Sequence, residues 1–408
     1  MRKSVLLIAF IITTTNLSVA QILPFTIPNL HVPPDGNGIG NMSASVPSNN
    51  AEATIANPAQ LGIFSLDGLL NAGTNVKERL WEQTEDFKLE SEAINVGITS
   101  SRFVDAPYTF SVGLGYSRTV LDLGQFYFTP DLPPFEWKEQ QDNYTVAAGF
   151  DWIVKFGFGY NFKNLAQPSV DSMGVNMEGL KVNGHDYGVM LEIPVVDIAS
   201  RFCDSPITFT RKLNPIVNIN IGYSRSNISD NPTALLRKAT LGLNVEFALG
   251  TIAKDKEWRL LSFIWAREAE GILLYSVPVP TTGPVTSYVY GYKSGLGDIA
   301  PIDNLIFGRS NGNVNLRKGW QVGVADFVYV RGGTDNEIGN PFKTFGESFR
   351  LYGMLKLLNA CGMIDTRQGA VAYIVEHLDL EYHFCRYTNY MNSDIAGPSF
   401  EELNIAVK

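Results

Sequence analysis

Charge, cysteine and long apolar runs are all scarce in this chain of 408 residues, and each shortage excludes something. Charged residues make up 18%, against about 25% in an ordinary soluble domain. A net charge of −9 and the lack of any Lys/Arg cluster rule out the basic field that nucleic acid requires. Cys203, Cys361 and Cys385 are too few and too widely spaced for a disulfide framework, and no C-x-x-C pair suggests zinc. A Cys361–Cys385 bridge stays open beside the preferred reading of incidental cysteines. His185, His377 and His383 lack ligand spacing and read as ordinary polar residues on strands, so no metal is expected. G-x-S-x-G, H-E-x-x-H and Walker patterns are absent, and Asp365 and Glu376 have no glycosidase context. The expectation is a protein that is not an enzyme and has no cofactor.

The first twenty residues carry a basic start (Arg2, Lys3), an apolar stretch from Val5 to Ile12 and a small-residue cleavage site at Ser18-Val19-Ala20. They read as a secretory signal peptide, residues 1–20. No later stretch reaches 18 uninterrupted apolar residues, so no transmembrane helix is predicted.

What is abundant is Gly (37), Phe (24) and Tyr (17), a composition suited to extensive sheet. The residues alternate strictly. In "YTFSVGLGYS", Tyr108, Phe110, Val112, Leu114 and Tyr116 share one face, and Thr109, Ser111, Gly113, Gly115 and Ser117 the other. "YTVAAGFDW", "KFGFGYNF", "VNINIGYS" and "TLGLNVEF" repeat the plan. A soluble sandwich would fill its second face with Lys, Glu and Arg. Here that face is Gly, Ser, Asn, Ala and Thr, which suits the crowded inside of a barrel. Aromatics toward the segment ends suit membrane girdles. Thirteen strand candidates emerge, from 74–82 to 371–386, and even counts in bacterial barrels imply one error. The fold predicted is all-β, an antiparallel transmembrane β-barrel of about 12–14 strands with an N-terminal segment plugging the lumen. The missing strand is sought in 270–316. In "GWQVGVADFVYVRGG" a tight turn at Ala325-Asp326 is preferred to a bulge, because a continuous strand would aim Asp326 at lipid. Long connections at 122–141, 164–184 and 270–316 alternate with short joints, the asymmetry of an outer-membrane barrel. The divisions expected are 21–66 for the plug, 67–387 for the barrel and 388–408 for a polar periplasmic tail.

"GIGNMSASVPSNNAEATIANPAQLG" (Gly38 to Gly62) resembles the N-terminal signature of the FadL superfamily, where small residues ending in Asn-Pro-Ala lie inside the barrel. "FSVGLGYSR", "GFDWIVKFGFGYNFK", the Trp81 segment and "GWQVGVADFVYVRGG" look like the PorV/PorQ-like subgroup of Bacteroidota. The chain departs from the pattern in "SVPSNN", which replaces a Gly/Asp run, and in "ELNIAVK", which lacks a terminal aromatic. The resemblance implies that Asn57, Pro58 and Ala59 lock the plug, with the proline joint turning the chain into the first strand. A plain turn explains Asn57-Pro58 equally well. Asp151, Lys155, Glu192 and Glu246 fall on inner faces, where a salt-bridge lattice is preferred to a polar path or a partner site.

Three functions compete. The PorV-like resemblance implies a barrel supporting type IX secretion or surface anchoring, with secretion subunits or exported cargo as partners beside outer-membrane lipid. A FadL-like transporter would carry a small hydrophobic molecule, and should show an apolar pocket beneath the plug and a strand kink. An exported soluble β-sheet protein is the third reading. Recurrent lumen-type faces favour the first two, and place the chain in the cell outer membrane.

Overall fold

The computed structural model describes residues 25–29, 33–75, 78–79, 88–126, 135–167, 170–172, 175–177, 179–203, 213–229, 235–253, 256–279, 287–337, 340–364, 369–388 and 399–408. The signal peptide and Trp81 lie outside these residues. Fourteen antiparallel strands form one closed sheet. They are β1 (Leu70–Asn75), β2 (Lys88–Thr99), β3 (Thr109–Phe126), β4 (Phe135–Asp151), β5 (Lys155–Ala166), β6 (Lys181–Pro194) and β7 (Asn214–Ile228), followed by β8 (Lys238–Ala253), β9 (Lys256–Ile272), β10 (Val314–Val324), β11 (Val328–Glu337), β12 (Asn340–Arg350), β13 (Leu378–Thr388) and β14 (Ser399–Val407). Closure rests on the short β1, which pairs Leu70 with Val407 of β14 on one side and with Val96 of β2 on the other.

The alternation sorts as the sequence predicts. Along β2, Leu89, Ser91, Ala93, Asn95, Gly97 and Thr99 are buried, while Ile94, Val96 and Ile98 are exposed. Phe110, Val112 and Leu114 on β3, Tyr144 and Val146 on β4, and Phe156, Phe158 and Phe162 on β5 continue this apolar belt, with Leu114 59% exposed. Phe247, Phe263, Trp320, Leu403 and Ile405 carry it round the far side. A water-soluble protein does not expose a contiguous apolar band of this extent. A bilayer accepts it, because every spanning backbone group is paired inside the closed sheet. No helix among the described residues is long and apolar enough to cross a membrane.

Several sequence expectations are corrected. The fourteenth strand is not in 270–316. That connection carries a separate hairpin, Leu274–Val279 with Ser287–Tyr292, and a helical turn at Ile302–Phe307. The missing strand is β14, inside the segment expected to be a periplasmic tail. Its polar residues Glu402 and Asn404 face the lumen, and Leu403 and Ile405 face out, so the alternation survives the polarity. The candidate at 345–357 stops at Arg350 and becomes helix Leu351–Ala360, and 371–386 begins as helix Gly369–His377. In both, the period of two gives way to apolar residues three and four apart.

The turn after β10 is tight, as expected. Ala325 and Asp326 take φ of 56° and 51°, and the Phe327 N–H donates to the Val324 carbonyl at 3.0 Å. The Asp326 carboxylate accepts the Arg259 N–H at 2.9 Å and the Tyr329 hydroxyl at 2.8 Å, which holds it at the rim and out of lipid.

The joints at the β1–β14 closing end are short between β4 and β5, β8 and β9, and β10 and β11. The longer connections there are the nine-residue joint between β2 and β3 and the helical insertions after β6 and β12. The opposite end carries the longest connection, 273–313 between β9 and β10, but also the two-residue joint between β11 and β12.

Candidate functional site: the plugged lumen

Residues 25–29 and 33–67 run through the lumen. At the long-loop end, Phe25 packs with Leu165, Val182 and Leu235, and Ile27 packs with Leu89, Leu121, Phe342 and Phe400. The Ile27 N–H donates to Glu139 Oε2 at 3.0 Å. The chain then descends through helices α1 (Pro34–Gly38), α2 (Ala53–Ala56) and α3 (Ala59–Asp67), and enters β1 at the short-turn end.

Asn57-Pro58-Ala59 sits at the centre of this path, fully buried at Asn57 and Ala59. Asn57 is extended, φ −142° and ψ 105°, as a residue before proline prefers, so α2 ends there. Pro58 opens α3, at a helix start where its missing N–H costs nothing. The joint therefore leads into a helix inside the lumen rather than into the first strand, which begins only at Leu70. Asn57 Nδ2 donates to the Ala44 carbonyl at 2.7 Å, and Asn57 Oδ1 accepts the Ala59 N–H at 3.0 Å. Gln60 Nε2 donates to the Ser43 and Val46 carbonyls at 3.0 and 2.8 Å. Asn57 and Gln60 thus clip the outgoing leg of the plug to the incoming one.

The small inner face of the wall has a second purpose beyond saving space: it is the plug's hydrogen-bonding partner. Wall amides donate to plug carbonyls, Asn95 to Ala51 at 2.9 Å, Asn161 to Thr54 at 2.9 Å, Asn244 to Ser45 at 2.6 Å and Asn404 to Asn49 at 2.9 Å. Inward glycines let the plug approach the wall closely. A Cβ on Gly159 would stand 2.2 Å from the Pro58 carbonyl, one on Gly188 1.9 Å from Asn57 Oδ1, and one on Gly222 1.7 Å from the Ala44 carbonyl oxygen.

The four predicted lumen residues gather at the short-turn end. Lys155 and Glu192 are register partners across β5 and β6, with Nζ 3.3 Å from the carboxylate, and Asp151 pairs with Lys155 across the β4–β5 turn. Glu246 is bound by Arg259 and accepts from Asn218 Nδ2 at 3.1 Å. Asp151, Lys155, Glu192, Asn218, Arg201 and Arg259 line a polar vestibule of about 380 Å³. Opposite charges interleave there, a lattice rather than a field of one sign.

A deeply buried ionic centre lies away from the predicted lumen residues. Arg317 on β10, 3% exposed, reaches Glu268 at 2.9 Å, Glu270 at 3.0 Å and Asp335 at 3.0 Å. Glu268 also accepts the Ser43 and Ala44 N–H groups at 3.2 and 2.9 Å, tying the plug backbone to the wall. A signal was present: Glu268 and Glu270 share one face of β9, and Asn315 and Arg317 one face of β10. This centre borders a second cavity of only about 60 Å³, with Lys163, Lys238 and Ala44 also in its wall. Among the described residues, no group of three or more His, Cys, Asp and Glu is arranged to hold a metal ion. Cys203, Cys361 and Cys385 form no disulfide among the described residues.

Neither protein-family models nor curated proteins give a match to this chain. Solved structures that resemble it include CdiB from Escherichia coli, with a TM-score of 0.38 and 8% identity over 83% of this chain. The chain spans only 62% of the CdiB length. The CymD monoaromatic hydrocarbon channel gives a TM-score of 0.37 and 10% identity, covering 92% of this chain and 96% of that one. A TodX deletion mutant, also a monoaromatic hydrocarbon channel, gives 0.37 and 10% over 92% and 97%. These likenesses are distant, and the barrel is established by its own strand pairing and apolar belt.

Proposed function

We propose that this chain is a non-catalytic outer-membrane β-barrel that works through its rims, supporting surface anchoring or type IX secretion of exported proteins. The plugged lumen carries this reading. The plug touches the wall at backbone distance, and the cavity between plug and wall, about 60 Å³, is smaller than the roughly 150 Å³ of an apolar cavity that binds benzene. The larger cavity is lined by charged groups and offers no apolar pocket beneath the plug. The resemblance to PorV-like barrels supplies the partner class, and the helical and hairpin elements at the rims supply surface for it. The belt and the long-loop asymmetry support an outer-membrane site with the short-turn end in the periplasm.

The alternative is a carrier of small hydrophobic molecules, and one observation favours it. The β6–β7 register slips between Arg225 and Ile228, where Asn227 takes φ of 61°, a local irregularity of the kind a lateral exit would use. Deleting the gene separates the two. Exported proteins held in the periplasm, with hydrocarbon uptake unchanged, is the expected result. Normal export with lost uptake overturns the anchoring role in favour of the carrier. Identical gel migration of boiled and unboiled protein would sink the barrel assignment beneath both.

A further inference from the structure

Helix α4 (Val195–Phe202) follows β6 directly at the short-turn end. Its residues divide into two faces. Asp197 and Arg201, one turn apart, line the polar vestibule with Pro194 and Val196. Val195, Ile198, Ala199 and Phe202 fall at i, i+3, i+4 and i+7 on the opposite side, the spacing of an apolar stripe. None of the helix's residues is buried, and Phe202 is 86% exposed.

The vestibule lies on the lumen side of the helix, so the stripe points outward. It continues a surface that already faces lipid. Leu191 and Ile193 point out of β6 just before the helix, and Phe156 points out of the neighbouring β5, while Trp152 and Ile153 of the adjoining turn border the vestibule itself. An amphipathic helix at the rim of a membrane barrel, with its charged face on water and its apolar face beyond the wall, meets the headgroup–acyl boundary of the bilayer.

We propose that α4 is an interfacial helix whose Val195–Ile198–Phe202 stripe lies in the inner-leaflet boundary of the surrounding phospholipid, while Asp197 and Arg201 wall the vestibule. One short helix then separates the water of the vestibule from lipid. Cys203, exposed and adjacent to Phe202, gives a native attachment point for a probe.

The test is spin-label accessibility in phospholipid vesicles, using the full chain with Cys361→Ser so that Cys203 is the exposed thiol, Cys385 being buried. A label on Cys203 is expected to relax faster with oxygen than with a polar nickel chelate. Phe202→Asp should invert that order at Cys203 while leaving heat modifiability unchanged. A second label at Phe158→Cys, in a background with Cys203→Ser, reports the belt itself. Oxygen preference at the belt with chelate preference at Cys203 overturns the proposal and leaves the barrel intact. Chelate preference at both sites overturns the membrane placement, and the proposal with it.

Discussion

Single residues show why the inner face is built from small and amide side chains. Gly159 admits the Pro58 backbone and Gly188 the Asn57 side chain, so Gly159→Val is expected to destabilise the folded barrel by about 1–3 kcal/mol, the usual cost of overpacking. The midpoint of heat modifiability measures this, with Gly271→Ala as control, where an added Cβ would meet nothing closer than 3.3 Å. Arg317 binds three carboxylates at 3% exposure. Arg317→Ala leaves those charges without their partner and should cost about 3–5 kcal/mol. Glu52 makes a prediction of opposite kind. Burial, together with the nearby Asp35 charge and against a hydrogen bond from Ser91, pushes its carboxyl from 4.5 up to about 8. The folded state therefore holds a proton that the unfolded chain has released, and stability falls as pH rises between about 4.5 and about 8. The heat-modifiability midpoint should drop across that window, and Glu52→Gln should shrink the drop. Period-two spacing exposed the inward positions of the predicted lumen residues. It could not show that Arg317 meets Glu268 and Asp335, because those contacts depend on the register of three strands separated by a long connection.

At the level of elements, the sequence was most legible where the outward face is aromatic and the inward face carries Gly or Ser, as in β3, β4 and β5. It was least legible in β14, where "SFEELNIAV" carries three carboxylate or amide residues among its nine. A tail and a strand with a polar inner face share that composition, and only the alternation of Glu402 and Asn404 with Leu403 and Ile405 separates them. The helices Leu351–Ala360 and Gly369–His377 misled in the other direction, since short apolar runs read as strand or helix alike. The β14 assignment has a sharp consequence. It is the closing partner of β1, through pairs from Leu70–Val407 to Asn75–Glu402. A chain cut after Thr388 should lose heat-modifiable migration altogether, because β1 and β13 become open edges in the bilayer. Had residues 388–408 been a tail, the cut would have left migration unchanged.

For the whole molecule, the barrel and its plug are two structures with different supports. The wall is held by strand-to-strand backbone hydrogen bonds that run continuously from β1 round to β14. The plug is held by side-chain amides, by glycine contacts and by Glu268. None of the strand pairs needs the plug to form, yet Arg317 and its carboxylates would face water once it was gone. Deletion of residues 33–66 should therefore give a barrel that still migrates as heat-modifiable, at a lowered midpoint, and that conducts ions across a planar bilayer. The full chain should be silent in the same bilayer, because its plug packs against the wall at Gly159, Gly222 and Glu268. Steady conductance by the full chain, equal to that of the deletion, would mean that the plug does not seal the lumen, and the anchoring role would lose its physical basis.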